Sequence, residues 1–382
     1  MARLGDISTL ITKGTTPTSL GFGFTESGIN FVKIESISDN GGFLKDKFAH
    51  IDNECNEKLK RSQLQENDIL FSIAGAIGRT AIVTNDILPA NTNQALAIIR
   101  IPQGVINYKY LLYALNSDGI INQANKQKQG VAQLNLSLQN IADLDIPIPS
   151  EQVQNKIVET IGQLDNIIHK RIQQLSKLDE LVKSRFIELF IGKGYPTKTV
   201  DEVSFGKGEY GAQSASIEHD STRPRYVRIT DINDDGTLND DVVSSINPSD
   251  DEQYKLEYGD FMFARMGATV GKTYAFIEGN QIFAGYLIRY KLNRELINPR
   301  YLFWYTRLDE YWNWVKVNQS GAAQPGINAK KYGSLQIPLP PIEEQNQFAA
   351  FVKQTDKSKL TIQQSLEQLE TLKKSLMQQY FG

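Results

Sequence analysis

Cysteine is almost absent from this chain: Cys55 stands alone, so no internal disulfide can form. Histidine is scarce too, and His50, His169 and His219 with one thiol supply no zinc-type ligand set, so no metal site is expected. No apolar run is long enough to cross a bilayer, and the opening MARLGDISTL lacks signal-peptide architecture; a cytoplasmic protein without a membrane partner is expected. A basic excess is missing as well. With 41 Lys and Arg against 44 Asp and Glu the net charge is −3, a total that argues against a polyanionic ligand. The charge is uneven, however: carboxylates concentrate between Asp231 and Asp251, while cations gather near Lys126–Lys128, Lys170–Arg171, Arg223–Arg228 and Lys330–Lys331. Local basic faces therefore survive the unfavourable total.

What is present is an internal repeat. At 382 residues the chain suits two domains, each able to bury its own core. Phe31-Val-Lys-Ile-Glu-Ser matches Tyr226-Val-Arg-Ile-Thr-Asp 195 residues later, and Asn67-Asp-Ile-Leu-Phe-Ser matches Gly259-Asp-Phe-Met-Phe-Ala 192 later. Asn107-Tyr-Lys-Tyr-Leu-Leu pairs with Asn298-Pro-Arg-Tyr-Leu-Phe, and Ile146-Pro-Ile-Pro with Ile337-Pro-Leu-Pro, both at 191. Insertions thus fall in early loops, and the later part of each half keeps a fixed length.

That later part predicts long helices over Glu151 to Phe190 and Ile342 to Phe381. In the first, Ile157, Ile161, Leu164, Ile168, Leu175, Leu178 and Val182 alternate in steps of four and three, interrupted at Arg171. In the second, Phe348, Val352, Ile362, Leu366 and Leu369 hold equivalent positions, with Thr355 and Lys359 weakening the middle. Such stripes bury either in a local core or in a paired coil; the matched lengths favour the coil. A helix of about 38 residues is roughly 57 Å long, beyond a small domain's diameter. Antiparallel packing would place two β-rich heads at opposite ends of a rod. The surplus of apolar residues at Phe186–Phe190 and Met377–Phe381 suggests partner contact, or else packing under a domain.

Within each half, Ile69–Ile73, Thr80–Val83 and Ala95–Ile101, and their counterparts Asp260–Ala264, Thr273–Ile277 and Tyr286–Leu292, read as strands between turn residues. One helix interrupts them, capped by Asn107 or Asn298. The expected fold class is α+β: two similar mixed, β-rich domains at 1–149 and 193–341, separated by two long antiparallel helices at 150–192 and 342–382 that form a coiled coil, with a pseudo-two-fold repeat.

Three motifs resemble catalytic or ligand-binding ones and fail on inspection. Gly267-Ala-Thr-Val-Gly271-Lys272-Thr273 is one residue short of a phosphate-binding loop and leads into a strand rather than a helix. Asp231-x-Asn233-x-Asp235-Gly236 opens like a calcium loop, yet its twelfth position is Val242, so a turn is expected. Asn298-Pro-Arg-Tyr resembles the base-holding motif of amino-methyltransferases but lacks the second proline, and a helix cap explains it. No glycine-rich cofactor turn and no nuclease-like carboxylate and lysine set stands out. No catalytic residue is expected.

Gly5-Asp-Ile, Lys13-Gly-Thr-Thr-Pro17, Asp68-Ile-Leu-Phe-Ser with Gly78-Arg-Thr, Gln129-Gly-Val-Ala-Gln-Leu-Asn, Ile146-Pro-Ile-Pro-Ser-Glu-Gln and Ile337-Pro-Leu-Pro-Pro-Ile-Glu-Glu-Gln, in this order and duplicated, resemble the specificity subunit of Type I restriction–modification enzymes over essentially the whole chain. The resemblance implies a target-recognition domain in each half, reading one part of a bipartite asymmetric duplex DNA target, with the helix pair setting the gap. It also implies two modification subunits that methylate adenine with S-adenosylmethionine, and restriction subunits that cleave with ATP and Mg; this chain would bind none of these cofactors. The second half departs from this pattern, opening Val200-Asp-Glu-Val-Ser-Phe-Gly-Lys-Gly-Glu-Tyr without Lys-Gly-Thr-Thr-Pro.

DNA reading needs cations on the backbone and a few side chains on base edges. The candidates are Lys13, Thr15, Thr16, Lys33, Ser72, Arg79, Lys126, Lys128, Gln129 and Gln133 in the first domain. In the second they are Arg225, Arg228, Arg265, Lys272, Gln319, Gln324, Asn328 and Lys330, with Gln and Arg suited to adenine and guanine edges. Each could equally be a solvated surface side chain. The rival readings are a stand-alone DNA methyltransferase and a tandem module that binds carbohydrate or protein.

Overall fold

A computed structural model describes residues 1–38, 41–126, 135–246, 252–320 and 325–382. The chain divides into two compact units, 1–172 with 364–382 and 173–363, so the division runs through both long helices.

Each unit is built on the same four-stranded antiparallel sheet. In the first, Leu10–Lys13 pairs with Leu96–Arg100, which pairs with Ile69–Ser72, which pairs with Thr80–Ile82. In the second, Glu209–Tyr210, Leu287–Lys291, Asp260–Ala264 and Thr273–Ala275 follow in the same order. A parallel pair recurs beside each sheet, Ile29–Val32 with Ala90–Thr92 and Arg225–Val227 with Gln281–Phe283. The central strands are buried but for Arg100 and Lys291 at their ends, which is why they read as continuous apolar runs rather than alternating ones. The aspartate that opens each Asp-x-x-Phe strand closes the preceding turn: Asp68 accepts the Gln65 amide at 2.8 Å, and Asp260 the Glu257 amide at 3.0 Å.

The interrupting helices are Tyr108–Leu115 and Pro299–Tyr305. Asn107 accepts the amides of Lys109 and Tyr110, and Asn298 that of Arg300, so the expected caps are in place. The tyrosine three residues on is an anchor. Tyr110 donates its hydroxyl to the Pro147 carbonyl at 3.0 Å and Tyr301 to Pro338 at 2.7 Å, tying this helix to the Ile-Pro-x-Pro junction. The motif that resembled a base-holding one is thus a structural joint. The segment Gly267–Thr269 is a short 3-10 turn leading into a strand, and Asn233 to Thr237 is a turn closed by the Asn233 amide on the Thr237 carbonyl.

The long helices span Glu151–Phe190 and Ile342–Phe381. Each start is fixed by a buried glutamine. Gln154 accepts the Asn107 amide at 2.9 Å and donates to Pro149 at 2.9 Å; Gln345 accepts the Asn298 amide at 2.9 Å and donates to Pro340 at 2.8 Å and Leu296 at 3.1 Å. The next residues pair with the same caps: Asn107 donates to Asn155 and Asn298 to Asn346. This joint ties the offset of 191 residues to geometry, because one inserted residue between cap and helix would break it.

Within each unit the two helical segments run antiparallel. In the first, Asp165 meets Lys373 at 2.6 Å, while Phe381 lies in the cluster that holds Ile157 and Ile161. In the second, Asp179 pairs with Lys359 and Phe186 with Phe348, the rings 5.3 Å apart. Of the seam, Ile157, Ile161, Leu164, Val182, Phe348 and Val352 are buried, and Ile168, Leu175, Leu178, Ile362, Leu366 and Leu369 half-buried. At the helix tips the phenylalanines turn inward, while Ile187 between Phe186 and Phe190 stays exposed. Phe186 and Phe190 sit in the second domain's core, the first stacked on Tyr301 and the second edge-on to it, and Phe381 packs 5.2 Å from Tyr110. Their apolar surplus is core, worth about 1.5–3 kcal/mol per buried side chain.

Candidate nucleic-acid interface

In the first unit the edge strand Leu10–Lys13 ends at a glycine. A side chain on Gly14 would lie 1.9 Å from the Thr92 carbonyl oxygen, so only glycine lets the chain pass over that backbone. Lys13 before it is exposed, Thr15 and Thr16 after it are half-buried, and the Thr16 hydroxyl donates to the Gln94 side chain. Lys33 lies 4.4 Å from the Phe24 ring centroid and 3.9 Å from Glu35. Arg79 is half-buried and donates to the Ile37 carbonyl at 3.3 Å. Lys126 is exposed at the end of the helix Asp118–Lys126. Ser72 is wholly buried; its hydroxyl donates to the Ala76 carbonyl and accepts the Arg79 amide at 2.8 Å. It folds the turn that presents Arg79 and has no surface to offer DNA. Lys128, Gln129 and Gln133 lie outside the described residues, as does Gln324.

The second unit repeats this edge with different side chains. Tyr210 faces Ile288 in the register where Lys13 faces Ala97, and a side chain on Gly211 would lie 2.4 Å from the Phe283 carbonyl oxygen, as one on Gly14 would crowd Thr92. Tyr210-Gly211 therefore replaces Lys13-Gly14, and Gln213 approaches Gly285 where Thr16 approaches Gln94. An open cleft of about 440 Å³ adjoins this edge, lined among others by Gln213, Ser216, Arg228, Thr230 and Tyr286.

Electrostatics separates the cations of this unit. Arg225 is paired with Asp240 and the Asn239 carbonyl, Arg228 with Asp231 at 2.9 Å, and Lys272 with Asp234 at 2.8 Å and the Ile232 carbonyl at 3.1 Å. The ammonium of Lys272 holds the Asp234 carboxyl below the usual carboxylate range. Three candidates thus face the acidic segment of their own domain. Arg265 differs: its guanidinium lies 4.8 Å from the Tyr210 ring and 5.8 Å from that of Tyr286, both rings exposed, and its Nε is buried without an acceptor. Asn328 is exposed and caps the helix Ala329–Gly333, Lys330 on that helix is exposed, and Gln319 is half-buried after Asp309–Asn318. Tyr210 and Tyr286 were missed at the sequence level. Their signal is an aromatic residue flanking glycine on each side of the same edge, legible only once the strand register is known.

Among the described residues no group of three or more His, Cys, Asp and Glu is placed to hold a metal ion, and no helix is long and apolar enough to cross a membrane. Two like domains, each with an open polar edge beside a pinned glycine, define a duplicated recognition protein. The family described as the Type I restriction modification DNA specificity domain matches residues 1–177 and again 205–371, and the chain belongs to that family, as a DNA-specificity subunit rather than an enzyme. It is 25% identical over 382 residues to the putative type I restriction enzyme MjaX specificity subunit of Methanocaldococcus jannaschii, covering 92% of this chain and 85% of that one. It is 31% identical over 177 residues to the EcoBI specificity subunit of Escherichia coli, covering 44% of this chain and only 36% of the relative.

The fold has solved counterparts. A chain from a study of complex assembly and conformational transition in the type I R-M system aligns over 100% of this chain and 96% of its own, with TM-score 0.63 at 17% identity. The S subunit of a type I system from M. genitalium aligns over 100% and 95%, with TM-score 0.56 at 13% identity.

Proposed function

We propose that this chain reads a split, asymmetric duplex DNA target, one part per domain, and carries two modification subunits and, through them, restriction subunits. The observation that supports this reading most is the repeated edge: the same strand and pinned glycine in both units, presenting Lys13, Thr15 and Thr16 in one and Tyr210, Gln213 and Arg265 in the other. One scaffold with two different sets of side chains suits two half-sites of different sequence. Lys13, Lys33, Arg79, Lys126 and Lys330 serve as backbone-positioning cations, and the amides and hydroxyls beside the glycines as base readers. Partner subunits take the outer helix faces, where Ile167, Ile172, Leu181, Leu360 and Leu372 are exposed. S-adenosylmethionine, ATP and Mg belong to those partners, and titration of the isolated chain with S-adenosylmethionine is expected to give no binding.

The test is the methylome of a host carrying the assembled system. One bipartite motif with an unread gap is expected; inserting a single turn into both long helices lengthens the gap and leaves the bases read unchanged. A continuous motif, or an insertion that alters a half-site, overturns the reading.

A further inference from the structure

We propose that Arg265 selects guanine in the half-site read by the second domain, an inference that rests on the DNA-reading function above. Arg265 follows the strand Asp260–Ala264 and is held there by its backbone, the amide donating to the Tyr286 carbonyl at 3.0 Å and the carbonyl accepting the Ile327 amide at 3.0 Å. Tyr210 and Tyr286 approach the guanidinium with their rings. The rings offer the guanidinium no carboxylate or carbonyl oxygen, so they satisfy its charge without supplying the paired acceptors that its donor fork matches. Among the described residues the N–H groups of that fork have no acceptor. Arg225 and Arg307 also carry a buried unpaired Nε, but their terminal nitrogens are occupied, by Asp240 and Asn239 in one case and by Thr273, Thr306 and Phe303 in the other. Arg265 is thus a fork of donors on a backbone-anchored residue, and Tyr286 beside it lines the cleft whose wall carries Gln213 and Ser216. Guanine offers the matching pair, O6 and N7, on the major-groove edge.

The first domain carries no arginine at the matching position. That position is Ile73, 3% exposed in the core, and Lys13 and Ala95 stand where Tyr210 and Tyr286 do. The guanine preference due to this site is therefore confined to one half of the target.

The experiment uses the full chain assembled with its modification subunits, on duplexes in which each base pair of the second half-site is replaced in turn. With Arg265→Ala, and equally with Arg265→Lys, which keeps the charge but not the fork, discrimination for guanine at one position falls roughly tenfold to hundredfold. The first half-site is read as before, and the salt dependence of binding is unchanged. Emission from Trp304, Trp312 and Trp314, all in the second unit, reports whether each variant folds; if the alanine variant does not, the lysine variant carries the test. A uniform loss on every duplex, with the salt slope lowered by about one, makes Arg265 a phosphate contact and overturns the proposal. So does an unchanged preference, or a second half-site without guanine. A wild-type complex with no sequence preference at all overturns instead the function on which it rests.

Discussion

Replacing Gln345 should loosen the second unit at the start of its long helix. Gln345 is fully buried and makes three hydrogen bonds, accepting from the Asn298 amide and donating to the carbonyls of Leu296 and Pro340. Truncation strands one amide and two carbonyls. At about 0.5–1.5 kcal/mol net for each bond, Gln345→Ala is expected to cost roughly 2–4 kcal/mol. Gln345→Met, which refills the volume, should recover little of it, because the loss lies in unpaired backbone groups rather than in a cavity. Gln154, with its two bonds, should lose somewhat less on the same change. Urea unfolding followed by tryptophan emission measures the Gln345 variants, since all three tryptophans lie in the second unit. Hydrogen exchange gives the local readout: protection of the Asn298 amide should fall in Gln345→Ala while that of Asn107 holds. An Asn298 amide as protected as in the wild type, or a stability change under about 0.5 kcal/mol, would refute the idea that this glutamine fixes the joint.

Alkaline pH should weaken the first unit through Tyr110, whose hydroxyl burial pushes up to about 12. The unfolded phenol ionises near 10, so the folded state keeps its proton longer. Stability is complete below about pH 10 and is lost as pH rises towards 12, by up to about 2.7 kcal/mol for this one group. Urea midpoints by circular dichroism from pH 8 to 11.5 should fall less steeply in Tyr110→Phe; equal slopes would remove Tyr110 as a cause. Gly14→Ala and Gly211→Ala should each destabilise their own unit by about 1–3 kcal/mol, since a methyl group would sit 1.9 Å and 2.4 Å from carbonyl oxygens. Unchanged thermal midpoints would show that the edge strands can move aside.

Features set by neighbours in the chain were legible. Asn107 and Asn298 announce helix starts because a cap acts within three residues, and the helix limits follow from a repeating apolar stripe after Ile-Pro-x-Pro. Features set by distant partners were not. Arg225, Arg228 and Lys272 look alike in sequence, and nothing in their surroundings announces that Asp240, Asp231 and Asp234 fold onto them. Ser72 sits between apolar residues in a strand, where its burial is a tertiary fact. Phe186, Phe190 and Phe381 announced an apolar surface but not that their own domains cover it.

The edge glycines explain why the two halves align poorly where their function is expected. Gly14 and Gly211 answer to the same carbonyl row, yet their neighbours are Lys-Gly-Thr-Thr in one copy and Tyr-Gly-Ala-Gln in the other, and the offset between them has drifted from 191 to 197. A glycine that slides over backbone constrains its own position and nothing on either side. Selection for a different base can therefore rewrite the flanking side chains and the loop lengths freely. The joint made by Gln154 or Gln345 tolerates neither, because the amide oxygen and nitrogen of one side chain must both reach fixed backbone groups. Sequence similarity between the halves is thus highest where the helix is anchored and lowest where DNA is expected to be read.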